Sequence, residues 1–402
     1  MTTDYDAQTH ALAELAVGLG ANIQPGQIVS IASEPGKEEL TRAIAEAAYR
    51  AGAKFVDLSV FDVYLKRARL RHADPESLGY VPPWIGQRTL ALGDAHAARI
   101  TLSGPAAPHA LDDVDPKLIG LDMMPRVPES MTVVNDRTTN WAIVPAPTRE
   151  WAMLVHPRLE PAAALDRLWA EIAHVCRLDE PDPSAAWKRR FDELTRVAAA
   201  LTGRRFDAIH LEGPGTDLRV GLLPSSHWIA ASMETVDGII HHANLPSEEV
   251  FTTPDPERVD GNVTATKPLF TSGTTVSGLR VTFEGGRAVS VDADEGAEVV
   301  HGLIARDEGA SRLGELALVD REGRIGPLGT VFYDTLLDEN AASHIALGGG
   351  YQSGIDDDAD RPRVNTSQIH VDFMIGSDAV TVTGVEHDGT RVPLLRDGGW
   401  QI

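Results

Sequence analysis

Apolar and polar positions follow two different rhythms in the two halves of this chain. An amphipathic segment, His10 to Gly20, is followed by Pro25-Gly26 and an apolar run, Gln27 to Ala32, that reads as a strand. The break at Pro35-Gly36 precedes KEELTRAIAEAAYRAGA, where Leu40, Ile44, Ala47, Ala48 and Ala51 fall on one helical face. Gly52 stands near the C-cap of that helix, and Lys54 to Val60 is the next strand. A strand, a helix and a second strand in this succession predict a parallel, doubly wound sheet. Ala98 to Leu102 and Trp141 to Val144 read as further strands, the first ended by Gly104-Pro105. Two helices follow, over about Pro161 to Arg177 and Pro183 to Leu201. The linker LDEPDP separates them, because its prolines remove amide donors and restrict the residues before them.

From Phe206 the texture changes to short strands and turns. Phe206 to Leu211, Asp217 to Leu222 and Leu279 to Phe283 are strand-like, and Glu284 to Arg287 (EGGR) turns a hairpin into Ala288 to Val291. Ala379 to Val385 and Arg391 to Leu395 repeat the device around Asp388-Gly389. The expected organisation is an α/β domain with a largely parallel sheet over residues 1–200. An α+β domain rich in antiparallel strands would occupy residues 201–402.

At 402 residues the chain has room for both, and 43% hydrophobic with 24% charged residues is ordinary for a soluble globular protein. The formal charge of -23 repels phosphate backbones and so disfavours nucleic-acid binding through a basic surface. It favours cationic partners, metal ions and free amino termini among them. The single cysteine, Cys176, falls beside Leu168 and Ile172 at helical spacing and reads as a buried apolar residue rather than a nucleophile. No secretory signal shows in MTTDYDAQTH, and no run of about twenty apolar residues offers a membrane span, so a cytoplasmic protein is expected.

The candidate chemistry crowds into the last third. Glu249, Glu315, His344, His370 and Asp372 are two imidazoles and three carboxylates, a donor set suited to a pair of divalent ions such as zinc, cobalt or manganese. Such a pair most often activates water for hydrolysis. His370 and Asp372 stand two apart in a strand-prone stretch, so they share a face while Val371 and Phe373 point to a core. A hydrogen bond between the two side chains is the simpler reading. His344 lies in DENAASHIALG, predicted to open a short helix, with Asn340 either its cap or part of the polar cluster Asp338, Glu339, Asn340. The glycines of LGGGY give the backbone freedom to bring Tyr351 over the same pocket. Without a following Lys-Ser/Thr pair they are not a phosphate loop. In NLPSEEVFTTP, Glu248 and Glu249 would face opposite ways if extended, so only one of the two can ligate. Glu315, in RLGELALVD, is a carboxylate in an apolar stretch and needs a partner, which a metal or an arginine such as Arg312 would supply.

The pieces NLPSEEVFTTP, GELALV, DENAASHIALGGGY and NTSQIHVDFMIGS resemble the aminopeptidase T / aminopeptidase S family of dinuclear metalloaminopeptidases. LAELAVGLGANIQPGQ, AIAEAAYRAGAKFVDLSVFD, NWAIVPAPTREWA and HLEGPGTDL carry the resemblance through the rest of the chain. It implies a metalloaminopeptidase whose ligands map to Glu249, Glu315, His344, His370 and Asp372, with Tyr351 as the active-site tyrosine. Glu249 is chosen over Glu248 by its place directly before Val-Phe-Thr. Two divalent ions per subunit are implied, zinc or cobalt first, with manganese or magnesium also accommodated. Glu315 would bridge them, Tyr351 would donate to the oxyanion, and the proton acceptor stays open among Glu248, Glu339 and Glu315. The substrate would be a short peptide with a free amino terminus. A homodimer with a partly enclosed chamber is implied too, the α/β domain walling the cleft and pairing subunits. A dinuclear amidase or esterase on another substrate, and a non-catalytic metal-dependent peptide binder, are the alternatives.

Overall fold

The computed structural model describes residues 5–122, 124–125, 127–230, 232–271 and 274–402. The chain divides into two compact units. One comprises Met1–Arg189, Ser232–Ser247 and Phe332–Leu336, and the other Arg190–Ala231, Glu248–Val331 and Leu337–Ile402.

In the first unit the predicted strands form β1 (Ile28–Ser33), β2 (Phe55–Val60), β3 (Ala98–Ser103) and β4 (Trp141–Pro145). They make one parallel sheet in the order β2-β1-β3-β4. Val29, Ile31, Ile100, Leu102, Ala142 and Val144 fill its interior. Helix Glu38–Arg50 buries Leu40, Ile44, Ala47 and Ala48, the stripe its sequence periodicity predicts, while Ala51 becomes the C-cap. Gly52 follows at φ +95°, where a Cβ would press on Pro25 at 3.2 Å, so the turn requires glycine. Doubly wound sheets take ligands beyond the carboxyl ends of their strands. Here Asp334 occupies that end of β3, accepting the Gly104 N–H at 2.8 Å and the Ser103 hydroxyl at 3.2 Å. The chain's own carboxylate thus stands where a ligand anion would, consistent with a loop lacking phosphate-binding glycines.

The second unit is built from antiparallel sheets. An eight-stranded sheet runs in space from Arg287–Asp292 through Arg280–Glu284, Pro254–Thr264, Thr216–Leu222, Ala208–Gly213, Thr381–Val385 and Arg391–Arg396 to Gly399–Trp400. A four-stranded sheet runs from His370–Met374 through His344–Gly348 and Leu313–Val319 to Glu249–Thr252, every pairing antiparallel. Their apolar faces meet in one core that includes Leu211, Val220, Val259, Phe283, Leu316, Leu318, Ile345, Leu347 and Phe373. Leu194, Val197, Ala198 and Leu201 of helix Pro183–Arg204 pack into the same core. The fold class is therefore α/β with a parallel sheet, followed by an α+β part dominated by antiparallel strands. Among the described residues no helix is long and apolar enough to cross a membrane.

One local expectation is overturned. His344 does not lie in a short helix: the helix Thr335–Glu339 ends before it, and His344 opens the strand His344–Gly348. The small residues Ala341 and Ala342 carry helix propensity, but Ile345 and Leu347 must reach the core between two neighbouring strands, and tertiary pairing wins. Asn340 does not cap a helix at His344 either. Its Oδ1 accepts the backbone N–H of Glu248 at 2.7 Å.

A carboxylate and imidazole cluster on one sheet face

Strand register alone assembles the cluster. Glu249 stands opposite Val319, and residues 319, 317 and 315 share a face of their strand. Ala317 pairs with His344, Glu315 with Ala346, Ala346 with Asp372, and Gly348 with His370. Cross-strand partners point the same way, so Glu249, Glu315, His344, His370 and Asp372 all project from one face of the four-stranded sheet. The intervening Val250, Leu316, Leu318, Ile345, Leu347 and Phe373 project into the core on the other. Four separated stretches of sequence thus become neighbours through a period of two.

The donor atoms fall into two groups that share Glu315. Glu249, Glu315 and His344 form one, and Glu315, His370 and Asp372 the other, with the donor atoms of each group within 4.8 Å of one another. His344 Nε2 lies 3.0 Å from Glu249 Oε2 and 3.8 Å from Glu315 Oε1. His370 Nε2 lies 3.3 Å from Glu315 Oε2 and 3.4 Å from Asp372 Oδ1. One carboxylate therefore turns one oxygen to each imidazole.

Both imidazoles are oriented from behind. His344 Nδ1 meets the Ala342 carbonyl at 3.1 Å, and His370 Nδ1 the Gly349 carbonyl at 2.7 Å. A carbonyl only accepts, so each Nδ1 carries its proton and each Nε2 is directed at the carboxylates, the arrangement that orients metal-ligating histidines. The glycine run makes the second of these contacts. Gly348 sits at φ +105°, where a Cβ would meet the Ile369 carbonyl at 2.1 Å, and the Gly349 N–H bonds that same carbonyl at 2.8 Å. Close backbone approach, rather than flexibility, is what LGGGY provides. It leaves the Tyr351 ring 5.3 Å from the His370 ring and edge-on to Phe251 at 5.8 Å.

The electrostatics are those of buried acids crowded together. Burial pushes the Glu249 carboxyl up, with Glu315 and Asp372 adding to the push and His344 opposing it. Burial would also raise Glu315, but its two histidines outweigh that and hold it below the ordinary value. Burial works against charge on His344 and His370 as well. Glu249 and Glu315 lift His344 well above the usual imidazole range, as Tyr351, Asp372 and Glu315 lift His370. Glu339, at the end of its helix, is raised well above a normal carboxyl, first by burial and then by Asp372 and Glu249. For Tyr351, His370 acts to lower the phenol, yet burial and the nearby carboxylates leave it raised and protonated.

This donor set fits divalent cations. Several carboxylates packed at one buried place call for positive charge. Glu249 Oε2 is buried without an aligned hydrogen bond although His344 Nε2 stands close by. Mixed imidazole and carboxylate donors suit zinc, cobalt or manganese.

Glu248 is turned elsewhere. It is wholly buried, and its Oε2 accepts from Arg190 Nε at 2.6 Å. Arg190 also grips Asp320, with Nη2 at 2.6 Å from Oδ1 and Nη1 at 3.2 Å from Oδ2. Neither Arg190 nor Asp320 is a candidate on sequence grounds. The signal is nonetheless present: Arg190 stands on the stripe 190, 191, 194, 197, 198, 201, whose other members are all buried and apolar. A cation on such a stripe must find buried anions.

Comparison with known proteins shows the family. The model of the family described as "Thermophilic metalloprotease (M29)" matches residues 5–400. Aminopeptidase T of Thermus thermophilus is 42% identical over 97% of this chain and 98% of its own. Aminopeptidase 2 of Geobacillus stearothermophilus is 36% identical over 98% of each. The solved structure titled "Wild-type AmpT from Thermus thermophilus" superposes with a TM-score of 0.90 at 41% identity, covering 98% of this chain and 99% of that one. The chain belongs to this family of thermophilic metalloproteases and is a metal-dependent peptidase.

Proposed function

We propose that the protein is an aminopeptidase that removes the amino-terminal residue from short peptides, using two divalent ions per subunit. The observation that carries this reading is the Glu315 carboxylate, which offers one oxygen to each of two imidazole-containing donor groups. Glu249 and His344 would hold one ion, His370 and Asp372 the other, and Glu315 both. When bound, such a pair supplies a water of lowered pKa and positive charge for the developing oxyanion. Zinc or cobalt fits first, with manganese or magnesium also accommodated.

The chain's own residues supply the remainder. Of the three carboxylates open as proton acceptors, Glu248 is engaged by Arg190 and Glu315 lies between two imidazoles. Glu339 is close enough to feel Asp372 and Glu249, and we assign it the proton of the attacking water and its delivery to the leaving amine. Tyr351, kept protonated, donates its hydroxyl hydrogen bond to the carbonyl oxygen as it gains charge. Tyr351→Phe is expected to keep its metal and lose roughly 10²–10³-fold in kcat, the effect of one oxyanion donor. Steady-state kinetics beside metal analysis checks this, and an unchanged kcat leaves Tyr351 a packing residue.

The reading as a whole is tested by stripping the protein with a chelator and restoring it with cobalt or zinc. Hydrolysis of aminoacyl anilides should vanish and return, while amino-blocked anilides are left intact throughout. Equal turnover of blocked and free substrates would replace the aminopeptidase by an amidase of another kind. A cytoplasmic homodimer belongs to the same reading, so light scattering on this preparation should give twice the 43.2 kDa of one chain. The mass of a single chain would remove the dimer.

A further inference from the structure

We infer that Arg190 is a positioning residue for the metal centre: its buried guanidinium fastens together, at one end, the two strands that carry Glu249 and Glu315. The inference rests on the metal-centre reading above and concerns what holds the donor face in register. Glu249 and Val319 are the last register pair of their two strands. The next residue outward on each strand is an acid, Glu248 on one and Asp320 on the other, and antiparallel pairing puts both at the same end. Arg190 spans them, with Nε on Glu248, Nη2 and Nη1 on Asp320, and Nη1 also reaching Glu193 Oε2 at 3.0 Å. Arg190 is 5% exposed, Asp320 4% and Glu248 0%.

Three further bonds hold this end of the sheet, two of them to the loop before His344. Asn340 Oδ1 accepts from Glu248 N, the Arg324 N–H reaches Glu248 Oε1 at 3.4 Å, and Val319 N donates to Ser343 Oγ at 3.1 Å. Asn340 follows Glu339, and Ser343 precedes His344. One planar fork therefore fixes the end of the sheet at which Glu249, His344 and Glu339 come together. A one-residue slip of either strand would send its donor to the opposite face, so a lock at this end has a direct consequence for the donors. Lysine cannot replace it, because a single ammonium on a flexible stem lacks the rigid fork that meets two carboxylates at once.

The test uses two full-length variants, since Arg190→Met alone takes the shared guanidinium from two buried acids and is expected to unfold the domain. Arg190→Lys keeps the charge without the fork. The triple variant Arg190→Met/Glu248→Gln/Asp320→Asn removes all three charges and keeps the volume. Cobalt(II) is titrated into metal-free parent and variants, reading the visible ligand-field spectrum and the dissociation constant against a competing chelator. Both variants should fold, bind cobalt about 10–100-fold more weakly, as loss of an outer support does, and show an altered spectrum. A spectrum and affinity equal to the parent's in either folded variant overturns the positioning role and leaves Arg190 a fold-stabilising residue. A parent that takes up no cobalt overturns the metal reading itself, which the unaltered protein reports independently of the variants.

Discussion

Glu315→Gln is expected to abolish peptidase activity while the chain stays folded. The amide is nearly isosteric, but it carries one acceptor oxygen where the carboxylate turns one to each imidazole. Its NH₂ group must face one of the two Nε2 atoms, so one donor group loses a ligand and the pair of sites loses its shared charge. A bound metal pair supplies several kcal/mol of transition-state stabilisation, and about 1.4 kcal/mol is a decade in rate. The loss should therefore be at least roughly 10³–10⁴-fold. Stability of the metal-free protein should fall as well. His344 and His370 outweigh burial and the neighbouring acids and hold Glu315 below the ordinary carboxyl value, so neutralising it removes a net favourable interaction of the folded state. Thermal melts without metal near neutral pH should show the variant less stable than the parent. The stabilisation gained on adding metal, about 2.7 kcal/mol at a hundredfold excess over Kd and read as a rise in melting temperature, should shrink. Parental turnover together with two equivalents of bound metal in Glu315→Gln would end the shared-ligand assignment.

What could be read from the residues alone follows the range of the forces involved. The period of two in Ile369 to Ile375 is local, and it orients His370 and Asp372 to one face and Phe373 to the core without knowledge of any partner. The apolar stripe of helix Glu38–Arg50 is legible for the same reason. Helix Val63–His72 has only Leu70 buried and so offers no stripe to read. His344 needed its two neighbouring strands, which begin at Leu313 and His370, before a run of small helix-compatible residues could be seen as a strand. Asn340 looks like a cap because the amide it serves, Glu248 N, is 92 residues away. Glu248 and Glu249 are adjacent acids that no local rule separates. What separates them is Arg190, 58 residues earlier, which takes Glu248. The cluster is thus written locally as strand faces and non-locally as the pairing of acids with their countercharges.

Glu339→Gln distinguishes the proton acceptor from the donors around it. The variant should keep both equivalents of metal and an unaltered cobalt spectrum, and lose roughly 10²–10⁴-fold in kcat, the contribution of a placed acid–base group. A proton acceptor works only when ionised, so the parent's rate should rise with pH through the titration of this carboxyl. That acid limb should be missing from the variant, whose residual rate depends on other groups. An anchor for the substrate's ammonium group would behave differently, because it acts on the bound ground state and transition state alike. KM would then rise with kcat held, and the acid limb would persist in kcat. Loss of one equivalent of metal would instead make Glu339 a sixth donor and return the proton to Glu315 or a bound water. Its position favours the acid–base role: the carboxyl feels Asp372, Glu249, His344 and Glu315 together, yet falls in neither of the two donor groups that share Glu315.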